Sequence, residues 1–271
     1  MAASNHLTSF LDAAERDGRL NVHETDIATA LPDLSPAGLR QALHRQHARG
    51  RIARISRGAG HWLIVPLQFA NSGSPPIEVW LDSYFSKTLK MPYYVCLLSA
   101  AEAYGASPNA VMISQIMVAK PRREITVGRH QLVFHTRTDI SRLPTRWYET
   151  GDGRYRISTP ELTALDLVRR EAQVGGMARV QDVMQVLSES CSAEGMLVAL
   201  DAANDAPSAQ RLGALFSILH RAHLAKAVQQ WLRPRKIRTI PLESGTPMLR
   251  ECSLDKAFKV RIAADFESAN T

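Results

Sequence analysis

The chain has 271 residues, 45% hydrophobic and 22% charged, with a formal net charge of +7; this is the balance of a packed globular protein and excludes wholesale disorder. Three scattered cysteines without a CxxC pair exclude a disulfide framework, and no apolar run approaches the roughly 20 residues that a membrane span requires. The N-terminus lacks the basic start and unbroken apolar core of a signal peptide, so the cytoplasm is the expected location and no membrane partner is expected.

In chain order, Leu7, Phe10, Leu11 and Ala14 recur at helical spacing, and Gly18 closes that helix. His23 to Thr25 leads into a short helix ending at Pro32. Ser35 followed by Pro36 predicts a helix start, a hydroxyl cap and then proline at the first position. That helix runs through Leu39, Ala42 and Leu43 and stops at Gly50. "RIARIS" and "HWLIV" alternate apolar and polar residues around "RGAG" and predict a β-hairpin. Three helices and a hairpin in about 65 residues is the order of a winged helix-turn-helix, so residues 1–69 are assigned to such a domain. "ANSGSPP", residues 70–76, has the composition of a linker or exposed loop.

Residues 77–271 are then a larger, mixed domain. "PYYVCLLSAAEAYGA" predicts a helix closed by Gly105, and "AVMISQIMVAK", "REITV" and "HQLVFHTRT" predict strands. "GDGRYRIS" is a turn entering another strand. In "STPELTALDLVRR", Ser158 and Glu161 have capping-box spacing, with Thr159 as a competing cap before Pro160. Helical patterns continue to about Trp231, and "IRTIPL" and "KVRIAADF" predict late strands. The class is α+β, with a strand-rich first half and a helical second half in the larger domain.

Charge is not evenly spread. Residues 1–35 carry a net −4, whereas Ser35–Trp62 contributes +6 from Arg40, Arg45, Arg49, Arg51, Arg54 and Arg57, with three histidines and no acid. A focused field suggests a polyanionic partner. With Leu39, Ala42, Leu43 and Gln46 inward, Arg40, Gln41 and His44 face outward, with Arg45 and Ala37 at the margin. Arginine can fork onto guanine and glutamine onto adenine in the major groove of DNA. Arg51, Arg54 and Arg57 on the hairpin would meet the backbone or the minor groove. Runs of charge are more often a solvated face, but here the missing acids, the capped helix and the glycine-tipped hairpin coincide. Lys120, Arg122, Arg123, Arg129, His130 and Arg137 form a candidate second basic surface, either extending the footprint on DNA, binding RNA, or guarding strand edges. "LRPRKIR" adds Arg233, Arg235, Lys236 and Arg238.

Catalysis is not indicated. A nuclease needs clustered carboxylates for Mg²⁺, yet "SQIMVAK" carries no acid. Glu102, Glu161 and Asp166 fall on predicted helices. Glu102 and Asp166 lie within apolar faces, where a capped or paired carboxylate explains them. His44/His47 and His220/His223 have i,i+3 spacing but no third ligand at metal-site spacing. Cys96 reads as a packed thiol. Tyr93, Tyr94, Trp147, Tyr148 and Tyr155 could stack bases, although core packing is the commoner role of such residues. No metal, cofactor or catalytic residue is expected. Two other readings stay open: a metal-dependent nucleic-acid enzyme that uses the winged helix for substrate binding, and a protein-interaction module.

"GRIARISRGAGHWLIVP", "PYYVCLLSAAEAYGA", "AKPRR", "ISTPELTALDLVRR" and "AQRLGALFSIL", in this order from about residue 5 to residue 220, resemble the AbiEi family. These are the antitoxin and transcriptional-regulator halves of abortive-infection, type IV toxin–antitoxin systems. The resemblance implies an antitoxin and DNA-binding autorepressor that binds promoter repeats of its own operon. It implies Arg40, Gln41, His44 and Arg45 on the recognition helix and Arg54 and Arg57 on the wing. The implied functional partner is a nucleotidyltransferase-like toxin of the AbiEii type, opposed without a necessary stable complex. The expectation leaves room for a monomer in solution that binds DNA cooperatively. Residues beyond about 235 match nothing in the family pattern.

Overall fold

Leu7, Leu11 and Ala14 are fully buried along one stripe of α1 (Ala2–Arg16), as their three- and four-residue spacing predicts. The computed structural model describes residues 2–55, 60–107, 113–245, 252–263 and 266. After α1 come β1 (Asn21–His23), α2 (Glu24–Ala30), α3 (Pro36–Ala48), β2 (Ile52–Arg54) and β3 (His61–Ile64). Ser35 Oγ accepts from the Gly38 amide and Pro36 opens α3, the start that the Ser-Pro pair predicts. The buried stripe of α3 is Leu39, Ala42, Leu43 and Gln46. Gln46 donates to Thr8 Oγ1 at 2.8 Å, tying α3 to α1, and His47 Nδ1 donates to Ile52 O at 2.9 Å, tying it to β2. The hairpin gains β1 as a third strand, in the antiparallel order β1-β3-β2. Three residues are too few for β1 to leave a periodic signal in the sequence.

The segment at residues 70–76 is docked rather than exposed as a linker. Ser74 and Pro75 are buried, and Ser74 Oγ donates to Val127 O at 3.0 Å. Gly128 sits at φ +57, and a Cβ there would lie 2.6 Å from Ser72 O, so only glycine permits this approach. Next, α4 (Ile77–Asp82) runs into a π-helical turn, Ser83–Thr88, which together bury Trp80, Leu81, Tyr84 and Phe85 completely.

A six-stranded mixed sheet follows, built from β4 (Tyr93–Val95), β5 (Ile113–Val118), β6 (Ile125–Val127), β7 (His130–Thr136), β8 (Thr145–Glu149) and β9 (Arg154–Ser158), with α5 (Leu97–Ala103) between β4 and β5. Its order is β6-β7-β5-β4-β9-β8. "PYYVCLLSAAEAYGA", predicted as one helix, therefore splits at Cys96, and Tyr93–Val95 is a central strand. That strand is apolar throughout because both of its faces are covered, and a run without alternation cannot be told from a buried helix by periodicity. Glu102, expected on an apolar face, is exposed on α5.

The helical half comprises α6 (Pro160–Arg169), α7 (Glu171–Val174), α8 (Met177–Leu187), α9 (Ala193–Ala203), α10 (Ala206–Ile218) and α11 (Ala222–Leu232). Thr159 wins the competition to cap α6, accepting from the Leu162 amide. Ser158 instead bonds Thr163 Oγ1, and Glu161 accepts from the Ser192 amide at the start of α9. These helices cover Tyr94 and Met117 on one face of the sheet. On the other face, one apolar cluster runs from Leu7 and Trp62 through Trp80 and Phe85 to Val95, Ile116 and Ile157. The chain beyond residue 235 joins the helical layer through a small sheet of β10 (Ile240–Pro241), β11 (Ser253–Asp255) and β12 (Val260–Ile262). Gln210 donates to both Arg238 O and Phe258 O. The Phe258 ring lies where a Cβ on Gly213 would approach within 2.2 Å. Gln210 and Gly213 of "AQRLGALFSIL" thus hold the C-terminal segment.

Arg137, expected on a second basic surface, is a correction: it is 4% exposed. Its amide continues the β5–β7 ladder by donating to Val118 O. Its guanidinium donates to Asp139 at 2.8 Å and to Asp166 Oδ1 at 3.0 Å. Tyr94 donates its hydroxyl to the other oxygen of Asp166, which is wholly buried. Asp166 is therefore a paired buried carboxylate, as its place on an apolar face suggested. Removing one member of such a pair strands a charge, a loss of about 3–5 kcal/mol. Arg137→Met should lower the unfolding free energy in urea by about that amount, and Arg137→Met combined with Asp166→Leu should recover most of it.

Candidate nucleic-acid interface

Burial of Leu39, Ala42, Leu43 and Gln46 sends the intervening positions of α3 to solvent. Arg40, Gln41, His44 and Arg45 are all exposed, together with Ala37, His47 and Arg49, and α3 carries no carboxylate. Beside it on β2, Arg54 is exposed, and its guanidinium sits 4.6 Å from the centre of the Trp62 ring, its cross-strand partner. Trp62 is itself fixed by donating Nε1 to Glu24 Oε1 at 2.9 Å. This stacking holds one hairpin arginine next to the exposed face of α3.

Arg51 is different. It lies against α1, where its guanidinium meets Asp12 at 2.7 Å and Glu15 at 2.5 Å and also donates to Val65 O. Burial opposes its charge, but the two carboxylates outweigh that effect and raise its pKa. Its role is to pin the hairpin to α1, so it is not one of the presented cations. The acids that make residues 1–35 negative supply this clamp. Arg57 lies outside the described residues.

A cleft of about 1140 Å³ separates α3 and β2 from the β5–β6 connection. His44, His47 and Arg54 line one wall, and Arg122, Arg123 and Thr126 line the other, with Glu124 the only acid in the lining among the described residues. Lys120, Arg123 and Arg129 are exposed, whereas Arg122 is half-buried, with Nη2 donating to Tyr84 Oη at 3.2 Å. The candidate second basic surface thus loses Arg137 to the interior, keeps Lys120, Arg123 and Arg129 at the surface, and holds Arg122 on an anchored side chain facing the first basic element. The cleft was not legible in the sequence, because Thr126 and Glu124 carry no motif and reach it only through sheet packing.

The other candidates resolve as structural groups. Tyr93, Tyr94 and Tyr155 are buried and Trp147 and Tyr148 half-buried. Burial pushes the Cys96 thiol well above the ordinary range, as suits a packed thiol donating to Gln115 O. Among the described residues, no group of three or more His, Cys, Asp and Glu side chains is placed to hold a metal ion.

At the root of the hairpin, the rings of His23 and His61 are 4.6 Å apart, and His61 Nδ1 is buried without a hydrogen-bond partner. Burial, followed by the nearby His23 and Arg122, lowers the pKa of His61. A histidine held neutral in the folded state contributes stability above its unfolded pKa near 6.5, and that stability is lost as pH falls through it. Burial shifts His130 and His135 in the same direction. The urea midpoint should therefore drop between about pH 7.5 and 5.5, and His61→Gln should reduce but not abolish that drop. Separately, Arg51→Met should cost about 1 kcal/mol in the same assay, the scale of a partly exposed ion pair.

The sequence model of the AbiEi antitoxin C-terminal domain matches residues 93–218, from the first strand of the large sheet through α10. Among solved structures, the chain is similar to the RV2827C protein from Mycobacterium tuberculosis, with a TM-score of 0.63 and 16% identity over 95% of this chain and 91% of that one. At that identity the likeness is one of fold. No curated protein matches the chain. Residues 93–218, the large sheet with α5 to α10, thus match an AbiEi antitoxin C-terminal domain, which supports an antitoxin role for the chain.

Proposed function

We propose that this protein is an antitoxin and an autorepressor that binds double-stranded operator DNA, with residues 1–69 as a winged helix-turn-helix and α3 as its recognition helix. Residues 77–271 form the antitoxin domain, which opposes a nucleotidyltransferase-like toxin of the AbiEii type. The observation that carries this reading is the solvent face of α3. Arg40, Gln41, His44 and Arg45 are exposed together there, without a carboxylate. Arginine and glutamine are side chains that read guanine and adenine in pairs of hydrogen bonds. With α3 in the major groove, Arg54 meets the adjoining phosphates. Lys120 and Arg123 sit on the far side of the cleft for a second stretch of backbone.

Binding to the chain's own promoter, followed by fluorescence anisotropy over a salt series, tests this. Arg40→Ala with Gln41→Ala should weaken operator binding by roughly tenfold or more, as the loss of base contacts does, with little change on unrelated DNA. Arg54→Ala and Arg123→Ala should each flatten the log–log salt slope by about 0.9, while Arg51→Met leaves it unchanged. In cells, the Arg40→Ala/Gln41→Ala protein should lose repression yet still relieve toxicity. Wild-type operator affinity in that variant would overturn the DNA-reading role.

A further inference from the structure

β8 ends the six-stranded sheet, and among the described residues β9 is its single strand partner. The Thr150 amide donates to Gly153 O at 2.8 Å and closes their hairpin. Counting back from that pair along the antiparallel register, Tyr148–Tyr155 and Arg146–Ile157 are the hydrogen-bonded pairs. Thr145, Trp147 and Glu149 therefore aim their N–H and C=O groups away from β9, to the open edge. Among the described residues, no backbone–backbone bond from another segment reaches them.

The side chains around this edge are unusual for a free strand. Trp147 has the guanidinium groups of Arg156 and Arg154 at 4.1 Å and 4.6 Å from its ring centre, all on one face. On the other face Arg146 is exposed and lies 4.7 Å from the Tyr104 ring, and Arg142 is exposed just before the strand. The acids nearby are Glu149, 3.8 Å from Arg154, Asp152 in the turn, and Glu78 and Glu102, whose charges act on Tyr155 of β9. Positive charge on both faces guards an edge against a second copy of itself, since pairing would oppose arginine to arginine. The same charge attracts a strand of the opposite sign. The Trp147 ring is engaged by guanidinium groups rather than offered to a base.

We propose that the β8 edge takes up an extended, acidic peptide segment of a partner protein by strand addition. Backbone pairing occurs at Thr145, Trp147 and Glu149, and carboxylates meet Arg146, Arg154 and Arg156. This site is independent of the operator-reading face.

The test titrates the full-length, ¹⁵N-labelled protein with a synthetic blocked peptide, Thr-Glu-Val-Glu-Val-Glu-Thr. Its lysine-for-glutamate counterpart and a single-stranded oligonucleotide serve as competing probes. The acidic peptide should produce saturable shifts in the amides of Thr145, Trp147 and Glu149. Arg154→Glu with Arg156→Glu should weaken binding roughly tenfold. Glu149→Pro removes an outward N–H while leaving the ladder to β9 intact, and it should also weaken binding even though it deletes an acid. Tighter or unchanged binding in Glu149→Pro would reduce the site to plain charge attraction and overturn strand addition. So would equal binding of the lysine peptide, preference for the oligonucleotide, or wild-type amide shifts that bypass the β8 edge.

Discussion

The middle of the six-stranded sheet is buried on both faces, and the position of nearly everything else follows from what covers each face. Helices α6 to α11 take one side. On the other, α1 to α3, the small three-stranded sheet, α4 and its π-helical turn share a single apolar cluster with Val95, Ile116 and Ile157. Trp62, Trp80, Tyr84 and Phe85 sit inside that cluster, each contributing roughly 1.5–3 kcal/mol of burial. Rotating the N-terminal helices away from the sheet would expose these rings to water. The exposed face of α3 and the exposed Lys120 and Arg123 are therefore held across a cleft by the core rather than by surface contacts.

Within that frame, arginine serves three physical roles that composition alone does not separate. Arg137 and Arg51 neutralise carboxylates, one in the interior and one against α1. Arg54, Arg154 and Arg156 lie over tryptophan rings, where a guanidinium keeps its charge at the surface while its plane is held by an aromatic ring. Arg40, Arg45 and Arg123 extend to solvent. Only the second and third groups offer charge to a partner, which makes the positive field smaller than the residue count suggests but better aimed.

Local chemistry made several elements readable in advance. Ser35-Pro36 and Thr159-Pro160 each start a helix, because the hydroxyl cap and the preset proline act within one turn. The stripe of Leu39, Ala42, Leu43 and Gln46 oriented α3 correctly for the same reason. Elements governed by distant partners were not readable. β4 lacks alternation because both of its faces are covered, and β1 is too short to show any. Residues 70–76 have the composition of a loop, yet Gly128 and Val127 draw them into contact. The segment beyond residue 235 is positioned by Gln210 and Gly213, which lie more than twenty residues before it.

The sequence by itself determined where helices start, which stripe of each is apolar, and that positive charge concentrates between Ser35 and Trp62, since all of these depend on neighbours within a few residues. Only the tertiary structure decided which cations reach the solvent. That outcome turns on whether a carboxylate such as Asp166, Asp12 or Glu15 arrives from elsewhere in the chain, and on which strand, here β8, is left at the edge of the sheet.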